Sequence, residues 1–259
     1  QHRSAAIEAA LKRNPDLGDE TIAVVFYVDK GLKRSQQLFA DLNINAVKPT
    51  KSIGVLYDHR DPMASLAREV AHSTPPFCGL TEFERTTISN RSMSLFTLSA
   101  VYQANLALLA KRKNDPVSQS EKQFVQDFWE AVTSVIPEWR LATERHVRTS
   151  ELRRDYVHAH GVTLQAIGAA GQRLKAAMPN NWRDKISNLS EIDWRRSNTQ
   201  LWEGLAMTGG QMSKARQNVQ LTADFLSNTL CFGSQIAKLD LIKNQTVKNH
   251  TPSQNVKGF

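Results

Sequence analysis

The chain has 259 residues, 41% of them hydrophobic and 22% charged, which excludes an intrinsically disordered chain and allows one large domain or two smaller ones. Its long apolar stretches, such as 21–28 and 106–110, fall far short of the roughly 20 residues a membrane-spanning helix needs. The formal charge of +8 points to a polyanionic partner, and it sits in the second half: residues 1–133 carry 16 Lys and Arg against 15 Asp and Glu, and residues 134–259 carry 17 against 10.

In chain order, Ser4 to Lys12 reads as a short helix with Ser4 as its N-cap, ended by Asn14-Pro15-Asp16. Thr21 to Val28 is rich in β-branched and aromatic residues and reads as a buried strand. Leu32 to Leu42 places Leu32, Leu38, Phe39 and Leu42 on one helical stripe, broken by Asn43, Asn45 and Pro49. A further helix is expected from Pro62 to His72, with Asp61 as cap and Pro62 at its first position. The Thr74-Pro75-Pro76 step after it is a candidate boundary. Leu95 to Lys111, Ser120 to Val135, Val157 to Met178 and Met212 to Leu230 each carry helical periodicity, and the polar stretch from Lys243 onward reads as a tail.

Cys78 and Cys231 are far apart and form no CxxC pair, so they are expected as buried thiols and not as metal ligands. Asp58-His59-Arg60-Asp61 has two readings. One is a catalytic or phosphate-binding cluster with His59 as general base. The other is a helix start, with Asp61 capping and Arg60 paired to Asp58. Lys48 and Lys51 flank a short loop that fits either a phosphate contact or a solvated surface. Arg140, Arg145, His146, Arg148, Arg153 and Arg154 fall within fifteen residues. At helical spacing Arg145 and Arg148 would share a face, and such a stripe suits duplex phosphates. Arg195 and Arg196, then Lys214 and Arg216 after Gly209-Gly210, are further phosphate or base contacts by residue type. His158 and His160, at i and i+2, do not face one way on a helix and have no third ligand, so no metal is expected. Trp182 and Trp202 are expected in the core.

The opening Gln1-His2-Arg3 matches the end of a DGQHR motif, whose Asp-Gly would stand just before Gln1. Further on come GLKRSQQLFADLN (31–43) and LYDHRD (56–61). These runs resemble the DndB family, whose DGQHR domain is related to the ParB and sulfiredoxin fold. The resemblance implies an α+β chain, mostly α. Residues 1–74 would be the remainder of the ParB-like domain, with its earlier strands preceding Gln1. Residues 75–242 would form a helical domain and 243–259 the polar tail.

For function, it implies a cytoplasmic, nucleoid-associated repressor that binds double-stranded DNA at the operator of its own DNA phosphorothioate modification genes. A homodimer would suit such an operator. ParB-like relatives bind nucleotide at the motif turn, which makes Gln1, His2 and Arg3, together with Asn43 and Asn45, the nucleotide candidates, with ATP as the expected ligand. A ParB-like ATPase or nuclease stays open as the alternative.

Overall fold

The structure, a computed structural model, describes residues 2–21, 31–34, 36–37 and 49–233, with side chains from Ser4 onward. The chain divides into two units, residues 1–48 and 49–259. In the first, α1 (His2–Arg13) runs straight through Ser4, so Ser4 is a helical residue and not the cap its sequence position suggested. The Ala-rich composition of this segment favours helix back to His2. Asn14 ends it: its side chain accepts from the Asp16 N–H at 3.2 Å and opens a 3₁₀ turn over Pro15–Asp19. Ile7 and Leu11 on the expected apolar stripe are exposed. Residues 32–34 and 36–37 are helical. The expected strand from residue 22 on, the rest of the 32–42 helix, Gln1 and the 243–259 tail lie outside the described residues.

The second unit runs α2 (Lys51–Tyr57), α3 (Pro62–Ser73), β1 (Thr81–Glu82), β2 (Phe96–Thr97), α4 (Leu98–Leu109), α5 (Gln119–Val135), α6 (Pro137–Thr143) and α7 (Thr149–Asp155). It continues through α8 (Gly161–Ala177), α9 (Trp182–Lys185), α10 (Thr199–Trp202), β3 (Met207–Thr208), β4 (Gln211–Met212) and α11 (Arg216–Phe232). Single 3₁₀ segments cover Val157–Ala159 and Ile186–Glu191. The described residues are thus mostly α with a few two-residue strands, in keeping with the α+β, mostly α expectation. No helix among them is long and apolar enough to cross a membrane.

Helix starts follow local chemistry. Asp61 Oδ1 accepts from the Met63 N–H at 3.0 Å with Pro62 behind it, as the sequence suggested. Ser118 and Glu121 close a reciprocal capping box on α5. Three starts come later than the periodicity implied: α8 begins at Gly161 because a separate 3₁₀ turn takes Val157–Ala159, and in the other two pairing takes the preceding residues first. Phe96 and Thr97 pair in parallel with Thr81 and Glu82, so α4 begins at Leu98 with Thr97 as cap. Gln211 and Met212 fold back on Met207 and Thr208 around Gly209-Gly210, whose φ values of 59° and 73° suit a two-residue hairpin turn. The helix after that hairpin therefore begins at Arg216.

The core is built on α8, which lies along α4 on one side and α11 on the other, with α3 against α4. The α4–α8 contact is close because α8 offers glycine. A Cβ on Gly168 would stand 2.4 Å from the Ala104 carbonyl oxygen, and one on Gly171 2.3 Å from the Phe128 ring. Since Gly161 meets Ala100, Gly168 meets Ala104 and Gly171 meets Leu108, the two helices run in the same direction.

Trp182 and Trp202 are buried, as expected. Cys78 and Cys231 are not: Cys78 is exposed and Cys231 half-buried, because Cys78 sits in a surface turn and Cys231 in the last turn of α11. The Pro75-Pro76 step lies inside this unit, between α3 and fully buried Phe77.

Gly168→Ala should destabilise the protein by about 1–3 kcal/mol, because the added methyl meets backbone and not a flexible side chain. Urea denaturation followed by circular dichroism measures this, and a loss below about 0.5 kcal/mol would show that the two helices separate without strain.

Candidate functional site

Two adjoining recesses of the second unit form a cleft at the starts of α4 and α8. The first, about 630 Å³, is lined by Arg153, Arg154, His160, Arg196 and Lys214, with Thr86, Thr87 and Asn90 from the β1–β2 connection opposite. The second, about 970 Å³, has a mixed lining, with Lys51, Asp58, Asp61, Tyr102, Gln103 and Gln165 among apolar Val55, Val162 and Val219. Thr86, Thr87, Thr97, Ala100, Gly161 and Lys214 line both. A third, smaller recess of about 300 Å³ brings Arg154, Arg195 and Arg196 together with Asp155 beside the first.

The basic side chains reach this place by different routes. Arg153, on α7, is half-buried and donates to the carbonyls of Ser94, Ser89 (2.9 Å) and Ser92 (3.5 Å), which pins the 89–94 loop. Burial pushes its guanidinium below the ordinary arginine value. Arg154 forms a two-pronged pair with Asp155, at 2.8 and 2.7 Å, which holds the carboxylate low and the guanidinium high. Arg196 donates to the carbonyls of Arg154 and Gly210, both at 3.2 Å, while its buried Nε has no partner. Arg195 and Lys214 are exposed.

His160 precedes α8 as its cap residue but makes no side-chain cap bond. Its Nε2 lies 2.8 Å from the Arg153 carbonyl, so the ring donates there. His158 is fully buried: the Trp139 indole N–H donates to its Nδ1 at 3.0 Å, and its Nε2 faces a Glu138 carboxylate oxygen at 3.5 Å. Burial outweighs that carboxylate and keeps the His158 ring neutral; for His160, burial pushes the value down to about 4. Each imidazole thus has a protein neighbour that explains its position.

Asp61 is 1% exposed and is used as a structural acceptor. The Met63 and Asn114 N–H groups donate to its Oδ1, each at 3.0 Å, and the Tyr102 hydroxyl to its Oδ2 at 2.7 Å. Burial and this carboxylate raise the Tyr102 phenol above its ordinary value. Asp58 pairs with Arg60 at 3.9 Å, as one sequence reading had it, and more closely with Lys113 at 2.9 Å, which holds the Asp58 carboxyl low. His59 is exposed.

The other sequence candidates scatter. Arg145 and Arg148 do not share a helical face. α6 stops at Thr143, Arg145 takes a left-handed φ of 64°, and the His146 and Arg145 N–H groups close the helix end on Leu141 and Ala142 carbonyls. Arg145 also donates to the Gly79 carbonyl at 3.1 Å, and Arg148 sits in the turn before α7. Arg140 and Arg216 are exposed on α6 and at the first position of α11. Gln1, Asn43, Asn45 and Lys48 lie outside the described residues, as do the side chains of His2 and Arg3, whose backbones open α1. Sequence spacing missed Thr86, Thr87 and the aligned starts of α4 and α8, since nothing local marks a Thr pair 66 residues or more from the arginines it faces.

A family model described as DndB, DNA-sulfur modification-associated, matches residues 1–232. No curated protein and no solved structure matches the chain.

If Asp61 is a scaffold group and His59 is not, Asp61→Ala should destabilise by about 3 kcal/mol or more by orphaning three donors, while His59→Ala stays within about 0.5 kcal/mol. Comparable losses in the two variants, measured by urea unfolding, would contradict that division. The buried histidines also set a pH dependence. Unfolding lets them take up protons near the ordinary value of 6.5, whereas the folded rings resist until lower pH. Stability should therefore be full above about pH 6.5 and fall as pH drops toward 4, by up to about 1.4 kcal/mol per pH unit for each ring. His160→Gln should remove one ring's share of that slope, and an unchanged slope would show that His160 is charged in the fold.

Proposed function

The chain belongs to the DndB family, which places it in DNA sulfur modification, and from that premise we propose that it acts there as a DNA-binding regulator. In this reading it is a repressor that binds duplex DNA at the operator of its own modification genes, as a homodimer in the cytoplasm. The single observation that carries it is the meeting of Arg154, Arg195 and Arg196 around one small surface recess, with Lys214 in the adjoining one. Cations gathered on a continuous face release counterions when they meet phosphates, and that release drives duplex binding. The exposed Arg140, Arg148 and Arg216 would add backbone contacts without reading bases. Arg153 is better suited to hold the 89–94 loop that shapes the face, since three carbonyls already occupy its guanidinium. Modulation by ATP at the motif turn of Gln1, His2 and Arg3 remains part of the proposal.

Arg195→Ala should lower the slope of log K against log salt for the operator duplex by about one unit, since each neutralised phosphate contributes about 0.9. A fluorescence-anisotropy titration at several salt concentrations reads this directly. An unchanged slope in a folded Arg195→Ala variant would remove this face from duplex binding.

A further inference from the structure

The first recess carries a charge imbalance. Among the described residues that line it, Arg153, Arg154, Arg196 and Lys214 are cationic and none is Asp or Glu. Asp155 half-neutralises Arg154 from beside the recess and loop carbonyls occupy Arg153, which leaves Arg196 and Lys214 facing a concave space with no carboxylate among its lining residues. The Arg153 guanidinium, its value lowered by burial, is bonded to neutral carbonyls of the 89–94 loop. The buried Arg196 Nε is a donor without an acceptor. The starts of α4 and α8 lie side by side and run the same way, so their positive ends add to the field rather than cancel it. Arginine forks, a lysine, threonine hydroxyls and helix N–H groups together suit the three oxygens of a phosphate group.

The size of the space narrows the ligand. A phosphate ion would leave most of about 630 Å³ unfilled, and the recess is concave, whereas duplex backbone is convex. Through the shared wall it opens into the second recess of about 970 Å³, where Gln103 and Gln165 present amides that both donate and accept beside apolar Val55, Val162 and Val219. Phosphate at one end and a hydrogen-bonding planar group at the other is the pattern of a mononucleotide, and the volume is that of a small-molecule site. We propose that this cleft binds a nucleoside monophosphate, its phosphate held by Arg196 and Lys214 at the start of α8, with Arg153 fixing the 89–94 loop beside it, and its nucleoside in the adjoining recess. This site is built from residues of the second unit alone.

The test is isothermal titration calorimetry on the full chain with adenosine 5′-monophosphate, inorganic phosphate and adenosine as probes. The monophosphate should bind saturably at one site, phosphate more weakly, and adenosine without saturation over the same range. Lys214→Gln should weaken the monophosphate by about ten-fold, the loss of one charge-assisted contact. Thr87→Trp, at an exposed position on the shared wall, should block the site without disturbing the core. Arg195→Ala, which lines only the small outer recess, should leave monophosphate binding intact. Phosphate binding as tightly as the monophosphate would overturn the proposal as an adventitious anion site. So would monophosphate heats that never saturate, or affinities that stay the same in both Lys214→Gln and Thr87→Trp. Protein that shifts the operator duplex but fails to bind the monophosphate overturns this inference alone. Saturable monophosphate binding in protein that fails to bind duplex supports it and counts only against the DNA reading.

Discussion

The closeness of α4 and α8 is the constraint on which the functional face depends. Two parallel helices with ordinary side chains between them would stand 8–10 Å apart, but Gly161, Gly168 and Gly171 leave α8 bare where Ala100, Ala104 and Leu108 press on it. Parallel neighbours cannot be joined by a short turn, so the chain from 110 to 160 must travel back to the starting end before α8 can begin. That return path is α5, α6 and α7, and it delivers Arg153 and Arg154 beside the start of α8. The cleft is thus a consequence of the helix pairing: the same glycines that let the backbones touch align two positive helix ends and oblige the arginine-bearing segment to finish there.

A run of rings holds the return path in place. Phe77 meets Trp129 at 5.3 Å and Phe96 at 5.7 Å; Phe96 meets Trp139, Trp139 meets His158, and His158 meets Trp194. Trp194 stacks on Trp202 at 5.4 Å, and Trp202 meets Phe225 of α11. Large rings with edge-to-face contacts leave little freedom, because each fixes the orientation of the next. Two backbone bonds then tie the arginine segment to the end of α7 and the 3₁₀ turn after it: the Val157 N–H donates to the Trp194 carbonyl at 2.9 Å and the Arg196 N–H to the Asp155 carbonyl at 2.8 Å. His158 sits in the middle of this run because an imidazole can accept from Trp139 while it packs like an aromatic.

Local signals were legible and pairings were not. Asp61 with Pro62 states a helix start in the sequence itself, since the cap lies within two residues of the N–H it holds, and the Ser118–Glu121 box is as local, although periodicity alone places that start at Ser120. The start of α4 could not be read that way, because Phe96 and Thr97 leave the helix for a partner fifteen residues earlier. Nor could the fate of Arg145: nothing in its type signals a left-handed helix end where glycine is usual. The arginine cluster was visible as a density and its division of labour was not, because whether an arginine meets a carbonyl, a carboxylate or open space is set by loops far away in sequence.

That division changes the electrostatics of the face. Hydrogen bonds from a charged donor contribute about 1.5–3 kcal/mol each, so Arg153, bonded to three carbonyls of the 89–94 loop, would lose more by swinging out to a phosphate than a screened surface contact returns. Arg154 is already half-neutralised by Asp155 at the recess edge. What remains is a smaller number of cations than the sequence offered, but placed in a concavity, where low-dielectric walls focus the potential instead of spreading it. A few focused charges hold a compact dianion better than a duplex, and a few exposed ones at the rim serve a duplex better than a compact dianion. The same arginine-rich stretch therefore separates into an inner and an outer surface, and the two can be titrated independently because Arg195 belongs to the rim alone and the Thr87 wall to the interior alone.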